Sequence, residues 1–207
     1  MNEETKKVSK LPLWLIIFTT FAVMASGFLL FPSDDGQRDR LLSILGTNNR
    51  GILLNPVLSM ADMPLSDQQG EAWMWQQQVP KWRLLLPFVG DCEDACRDFL
   101  YTSRQVHIRL DKKTQRVQRV FLNLGAPLDD EMNAYLKREH PYLTVVRGDL
   151  ETFKAFIGPT NAQWSAHTPR LVLVDQQGVA MMFYTPEHNG SDLLGDLKHL
   201  IKYSPEL

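Results

Sequence analysis

Cysteine is scarce in this chain of 207 residues: Cys92 and Cys96 are the only two. Basic excess is missing as well. The net charge is −2 and the pI about 6.2, so no electrostatic footprint for nucleic acid exists. There are no internal repeats and no low-complexity tract, which excludes solenoids and disordered arrays. No serine-nucleophile or metal-hydrolase constellation stands out, so hydrolytic chemistry is not expected. Long apolar runs are absent except for one, residues 11–31, which carry no charged side chain.

About twenty apolar residues span a bilayer. Trp14 and Phe31 suit its two interfaces, and Pro12 falls in a first turn, where a helix tolerates it. Lys6, Lys7 and Lys10 precede the run and Asp34 and Asp35 follow it, which favours an internal N-terminus; Arg38 and Arg40 weaken that bias. A cleaved signal peptide ending near Val23-Met24-Ala25 is the rival reading, but the apolar run continues beyond Ala25. A mitochondrial presequence fits poorly, because Glu3 and Glu4 open the chain and the segment lacks arginine. The expectation is a single-pass anchor in a bacterial inner membrane with the C-terminal domain in the periplasm, where disulfides form. The division expected is a cytoplasmic tail (1–10), a transmembrane anchor (11–31), a tether and N-terminal extension (32–80) and a globular domain (81–207). Within the extension, residues 46–51 have turn chemistry, 52–63 alternate poorly around Pro56, and 64–69 read as loop.

From residue 81 the pattern sharpens. Residues 82–89 form an apolar run consistent with a buried strand. Helical spacing follows over 95–110, a strand over 117–124, and a helix over 129–140 that is opened by acids and stopped by Pro141. A short strand spans 143–146. Asp149 caps a helix to residue 157. A strand at 171–174 turns through Gln176-Gln177-Gly178 into 179–184, and a last helix opens at Gly190-Ser191. The order β-α-β-α-β-α-β-β-α predicts an α/β, thioredoxin-like domain, with parallel strands joined through helices and a closing antiparallel hairpin.

Cys92 and Cys96 stand at the mouth of the first of these strands, where an open α/β sheet places its site. In a helix, positions i and i+4 share a face, so both sulfurs could grip one metal ion or close a disulfide. A helix N-terminus there favours thiolate. A purely structural bridge would close too short a loop to stabilise much. The loop before the hairpin returns to the same end of such a sheet, which predicts that His167 faces the sulfurs. Two thiolates and one imidazole suit Cu(I) and adapt to Cu(II); zinc would want a fourth ligand. Thr168-Pro169 reads equally as a cis peptide or as the start of a strand. His107, His140, His188 and His199 read as surface residues. Met181, Met182 and the tryptophans from Trp73 onward read as packing. Asp91, Glu93 and Asp94 read as acids of a helix N-terminus.

Cys-x-x-x-Cys after a strand, then His167 before an apolar strand ending Asp175-Gln176-Gln177-Gly178, resembles the Sco/SenC family of cytochrome oxidase assembly proteins. Residues 120–124, 135–137 and 152–156 agree with that resemblance, which covers residue 81 to the C-terminus. It implies one copper ion per chain on Cys92, Cys96 and His167. It also implies a partner, the cytochrome c oxidase subunit carrying the CuA site, served as copper donor or as thiol reductant. Two features depart from the family pattern: Glu93 replaces the usual proline, and Gly125 to Asp130 replaces an Asp-Pro-x-x-Asp stretch. A thiol–disulfide oxidoreductase using Cys92 and Cys96 without storing copper is the alternative, and a docking scaffold without redox chemistry is the third reading.

Overall fold

The computed structural model describes residues 10–30, 49–90 and 92–205, with the side chains of 28–30 left aside. The tail lysines Lys6 and Lys7, Phe31, the charged stretch that begins at Asp34, the first half of the 46–51 turn and Asp91 lie outside the described residues. The chain divides into two compact units, residues 1–48 and 49–207. In the first, α1 (Leu11–Leu30) is a 20-residue helix without a charged side chain. Among the described residues no helix is long and apolar enough to cross a membrane.

The second unit is a thioredoxin-like α/β domain built on one seven-stranded sheet in the order β1-β7-β6-β3-β4-β5-β2. Its strands are β1 (Ile52–Ser59), β2 (Leu65–Ser66), β3 (Trp82–Phe88), β4 (Val117–Asn123), β5 (Leu143–Gly148), β6 (Leu171–Val174) and β7 (Val179–Tyr184). The helices are α2 (Asp94–Ile108), α3 (Asp130–Glu139), α4 (Leu150–Ile157) and α5 (Gly190–Tyr203). The central strands β3, β4 and β5 run parallel, and β6 and β7 form the antiparallel hairpin.

The central strands are apolar on both faces because both are covered. Leu84, Leu86, Phe88 and Phe121 pack with residues of α2, α3 and α5. Their alternates Leu85, Val120 and Leu122 pack with α4 and with Trp73 and Trp75. Helix starts are fixed by side chains that accept orphan backbone N–H groups: Asp129 from Met132, Asp149 from Thr152, and Asn189 in a reciprocal box with Asp192.

Residues 52–66, which read as extension and loop, supply the two outer strands. Their signal is weak for physical reasons. β1 contains Pro56 and changes register between Leu53 and Leu58, so side-chain alternation breaks. Asn161 lies along its outer side: it donates to Asn55 O (3.0 Å) and Leu53 O (2.9 Å), and accepts from Asn55 N (2.9 Å). The carboxylate of Asp196 on α5 anchors the entry to β1, accepting from Arg50 N, Gly51 N (2.8 Å) and Tyr184 Oη (2.9 Å).

Two histidine expectations are corrected. His107 and His140 are buried. The Nε2 of His107 lies 3.0 Å from Val117 O and 3.2 Å from Thr114 O, and burial lowers its pKa. His199 is exposed and His188 half-buried. Met182, Trp73, Trp75, Trp82 and Trp164 pack as expected.

Candidate functional site at the carboxyl end of strand β3

The chain leaves β3 through Val89 and Gly90. Gly90 adopts φ +84°, which glycine takes without penalty. The exit of β4 presses on the same turn: Leu124 N donates to Phe88 O (2.8 Å), and a Cβ at Gly125 would stand 3.1 Å from Gly90 N. Asn123, the last residue of β4, holds that second exit by donating to Ala126 O and accepting from Gly125 N. Two tight turns thus lie side by side at the carboxyl ends of adjacent parallel strands.

Cys92 and Cys96 are joined in a disulfide, with their Cα atoms 5.2 Å apart. That spacing is relaxed for a disulfide. It arises because Cys92 sits ahead of α2 rather than inside it: Glu93 is the N-cap, in extended backbone, and Cys96 is the third helical residue. The expectation of two sulfurs on one helical face is therefore modified. One cysteine comes from the loop and one from the first turn. Both are buried in the main core cluster with Phe88, Phe99 and Leu136. Glu93 and Asp94 are exposed, and Glu93 caps nothing with its side chain.

Arg97 was not singled out by the sequence, where it is just the residue after the second cysteine. Its Nε donates to Cys92 O (3.0 Å), and its guanidinium lies 4.9 Å from the centre of the Tyr135 ring. Arg97 thus ties the cysteine loop to α3. Behind Tyr135 runs a buried polar chain. Tyr135 Oη is 3.3 Å from His140 Nε2, and His140 Nδ1 is 3.2 Å from Arg119 Nη2. Arginine can only donate, so Nδ1 is the acceptor, the imidazole is neutral, and Nε2–H faces the tyrosine. Arg119 also donates to Ser103 Oγ and Leu100 O. Burial lowers the pKa of Arg119 to about 10, and burial with the nearby arginines lowers that of His140 to about 4.

Strand β6 runs antiparallel to β3, pairing Leu85 with Val172 and Arg83 with Val174. The segment before Leu171 therefore returns to the cysteine end of the sheet. His167 lies in that segment, exposed, in a turn closed by Thr168 N donating to Ser165 O (3.1 Å). Among the described residues, no three His, Cys, Asp or Glu side chains converge to hold a metal ion. The bridge accounts for two would-be ligands, and the turn geometry leaves His167 facing solvent. Thr168–Pro169 is trans; among the described residues the cis peptide is Asn55–Pro56.

The arrangement is a redox-convertible sulfur pair, buried against the core, at the position where a thioredoxin-like sheet presents its chemistry. No curated protein sequence matches the chain. Solved structures of Sco proteins do match in fold. The crystal structure of Arabidopsis thaliana ScoI with copper bound has a TM-score of 0.53 at 19% identity, covering 68% of this chain and 97% of that one. Yeast Sco1 with copper bound gives 0.55 at 16%, covering 77% and 97%. The solution structure of apo Sco1 from Thermus thermophilus gives 0.55 at 20%, covering 75% and 99%. At such identities the likeness establishes the thioredoxin-like fold. Residues 82–204 match the family described as transmembrane-like, thioredoxin-like, C-terminal domain, and the chain belongs to that family.

Proposed function

We propose that this is a Sco-like protein, anchored by residues 11–31, that takes one copper ion on Cys92 and Cys96 and serves assembly of the CuA centre of cytochrome c oxidase. The reading places residues 1–10 in the cytoplasm of a bacterium and the domain in the periplasm, with residues 32–80 leading from the anchor into it. The observation that carries it is the Cys92–Cys96 bridge at the carboxyl end of β3. Two electrons and two protons open the bridge to two thiols. Loss of those protons leaves two soft thiolates within reach of one ion, a donor set that fits two-coordinate Cu(I). His167 stands in the loop at the same end of the sheet and is the imidazole available to a higher-coordinate state. The copper-bound plant and yeast proteins support the reading through their shared fold. The anchor rests on the sequence, in which residues 11–31 carry no charged side chain.

The test is an anaerobic Cu(I) titration of the reduced protein with metal analysis. One ion per chain is expected, and Cys92→Ser or Cys96→Ser should abolish binding. Equal binding by both serine variants would defeat the proposal. His167→Ala should weaken Cu(II) much more than Cu(I), which two thiolates can hold alone.

The second reading, a thiol–disulfide oxidoreductase, is favoured by the lack of a third ligand beside the sulfurs among the described residues. One thiolate would attack a partner disulfide to give a mixed disulfide. The second cysteine would then release it, leaving the partner reduced and the Cys92–Cys96 bridge closed. A reversible dithiol potential without copper affinity would select this reading.

A further inference from the structure

A cavity of about 680 Å³ lies between α3 and the β4–β5 part of the sheet. That volume is in the range of small-molecule sites. Its floor is apolar, with Leu136, Leu143 and Val145. Its lining includes two exposed cations, Lys137 on α3 and Arg147 on β5, and the amides of Gln68, Asn123 and Asn133. No carboxylate lines it. Neither Lys137 nor Arg147 has an ion-pair partner among the described residues.

Several nearby acids are already engaged. Asp129 caps α3, Asp149 caps α4, and Glu139 pairs with Arg138 and Arg104. The wall adds positive potential rather than cancelling it. His140 lines the cavity, and behind it Arg119 is 2% exposed with only neutral acceptors: Ser103 Oγ, Leu100 O and His140 Nδ1. A buried charge without a counter-ion raises the potential of the space beside it, because a low-dielectric wall screens it poorly. Asn123 and Arg147 are also register partners at the carboxyl ends of β4 and β5, the usual side for ligands of an open α/β sheet.

We infer that this cavity is a second site, separate from the cysteine pair, for a small amphipathic carboxylate, its anionic head between Lys137 and Arg147 and its apolar body on Leu136, Leu143 and Val145. Each amide NH2 already gives one hydrogen, to Ala126 O, Leu128 O or Asn133 Oδ1, and keeps its second for the head, and the apolar floor requires the body. The inference does not depend on copper or on the redox state of the bridge.

The experiment is saturation-transfer NMR on the full chain in nanodiscs of zwitterionic lipid, with hexanoate and hexan-1-ol as probes. Hexanoate should bind at least tenfold more tightly than the alcohol. Arg147→Glu and Lys137→Glu should each weaken hexanoate at least tenfold and leave the alcohol unchanged. Both side chains are exposed, and an unchanged thermal melt verifies that the variants fold. Reduction of Cys92–Cys96 should not alter the result. Equal affinity for acid and alcohol, no binding of hexanoate, or unchanged binding by both charge-reversal variants would each overturn the inference.

Discussion

Reducing the Cys92–Cys96 bridge tests whether it is a staple or a working group. The bridged residues are separated by 4 in sequence. Chain-entropy treatment of so short a loop gives about 2 kcal/mol of stabilisation, against about 5–15 kcal/mol for a whole domain. Both thiols remain in the apolar cluster when reduced, where cysteine behaves as a small hydrophobe. The reduced domain should therefore stay folded and lose only about 2 kcal/mol. With a urea slope of about 2 kcal/mol/M, the midpoint should fall by about 1 M. Cys96→Ser should cost more than reduction, by about 1–2 kcal/mol, because it buries a hydroxyl at a site 2% exposed. Urea unfolding of oxidised, reduced and serine forms, followed by tryptophan fluorescence, measures all three. A reduced chain that is unfolded in buffer, or a loss beyond about 4 kcal/mol, would show that the bridge holds the domain together, and the redox reading would fail.

The fragment from residue 34 onward should be soluble and folded without detergent; recovery only in detergent or as an unfolded chain contradicts the anchor-plus-domain division. His140 has its pKa lowered to about 4 from 6.5 by burial first, then by Arg119 and Arg104. The folded pKa lies below the unfolded one, so the unfolded chain binds the extra proton. This group's contribution is complete above pH 6.5 and is lost as pH falls towards 4, at up to about 1.4 kcal/mol per pH unit. His140→Gln should flatten that acid limb in urea midpoints measured from pH 7 to 4.5, and parallel wild-type and variant curves would refute the linkage. Asp196→Ala should cost about 3 kcal/mol, since it strands Arg50 N, Gly51 N and the Tyr184 hydroxyl at a buried position. A thermal shift of only a degree or two would show that water replaces the carboxylate.

The central architecture was legible because its signals are local. Apolar runs such as 82–89 mark strands covered on both faces, and Asp129 and Asp149 announce helix starts within three residues of the N–H groups they satisfy. The place of the cysteine pair was legible for a similar reason: two cysteines at a strand exit carry their own spacing. What stayed hidden depends on remote partners. His107 and His140 look like solvated histidines until Val117 O and Arg119 are placed against them. Arg97 gains meaning only when α3 brings Tyr135 under it. β1 lacks a sequence signal because its pairing with β7 shifts register around Pro56, and its outer edge is met by Asn161, some hundred residues away. The relation of His167 to the sulfurs is set by the turn over Ser165–Thr168, which topology places at the right end of the sheet without fixing where the ring points.

The clip of Asn161 on β1 bears on how the domain meets other proteins. A membrane anchor would confine many copies to one surface, where bare sheet margins invite one chain to extend another. Here one margin has Asn55 N, Asn55 O and Leu53 O occupied by Asn161 and includes Pro56, which has no N–H to offer. The other margin is β2, only two residues long. Strand addition has little to grip along β1, whereas β2 covers only Arg147 and Gly148 of β5. A second chain would therefore have to meet β1 through side chains rather than by extending the sheet.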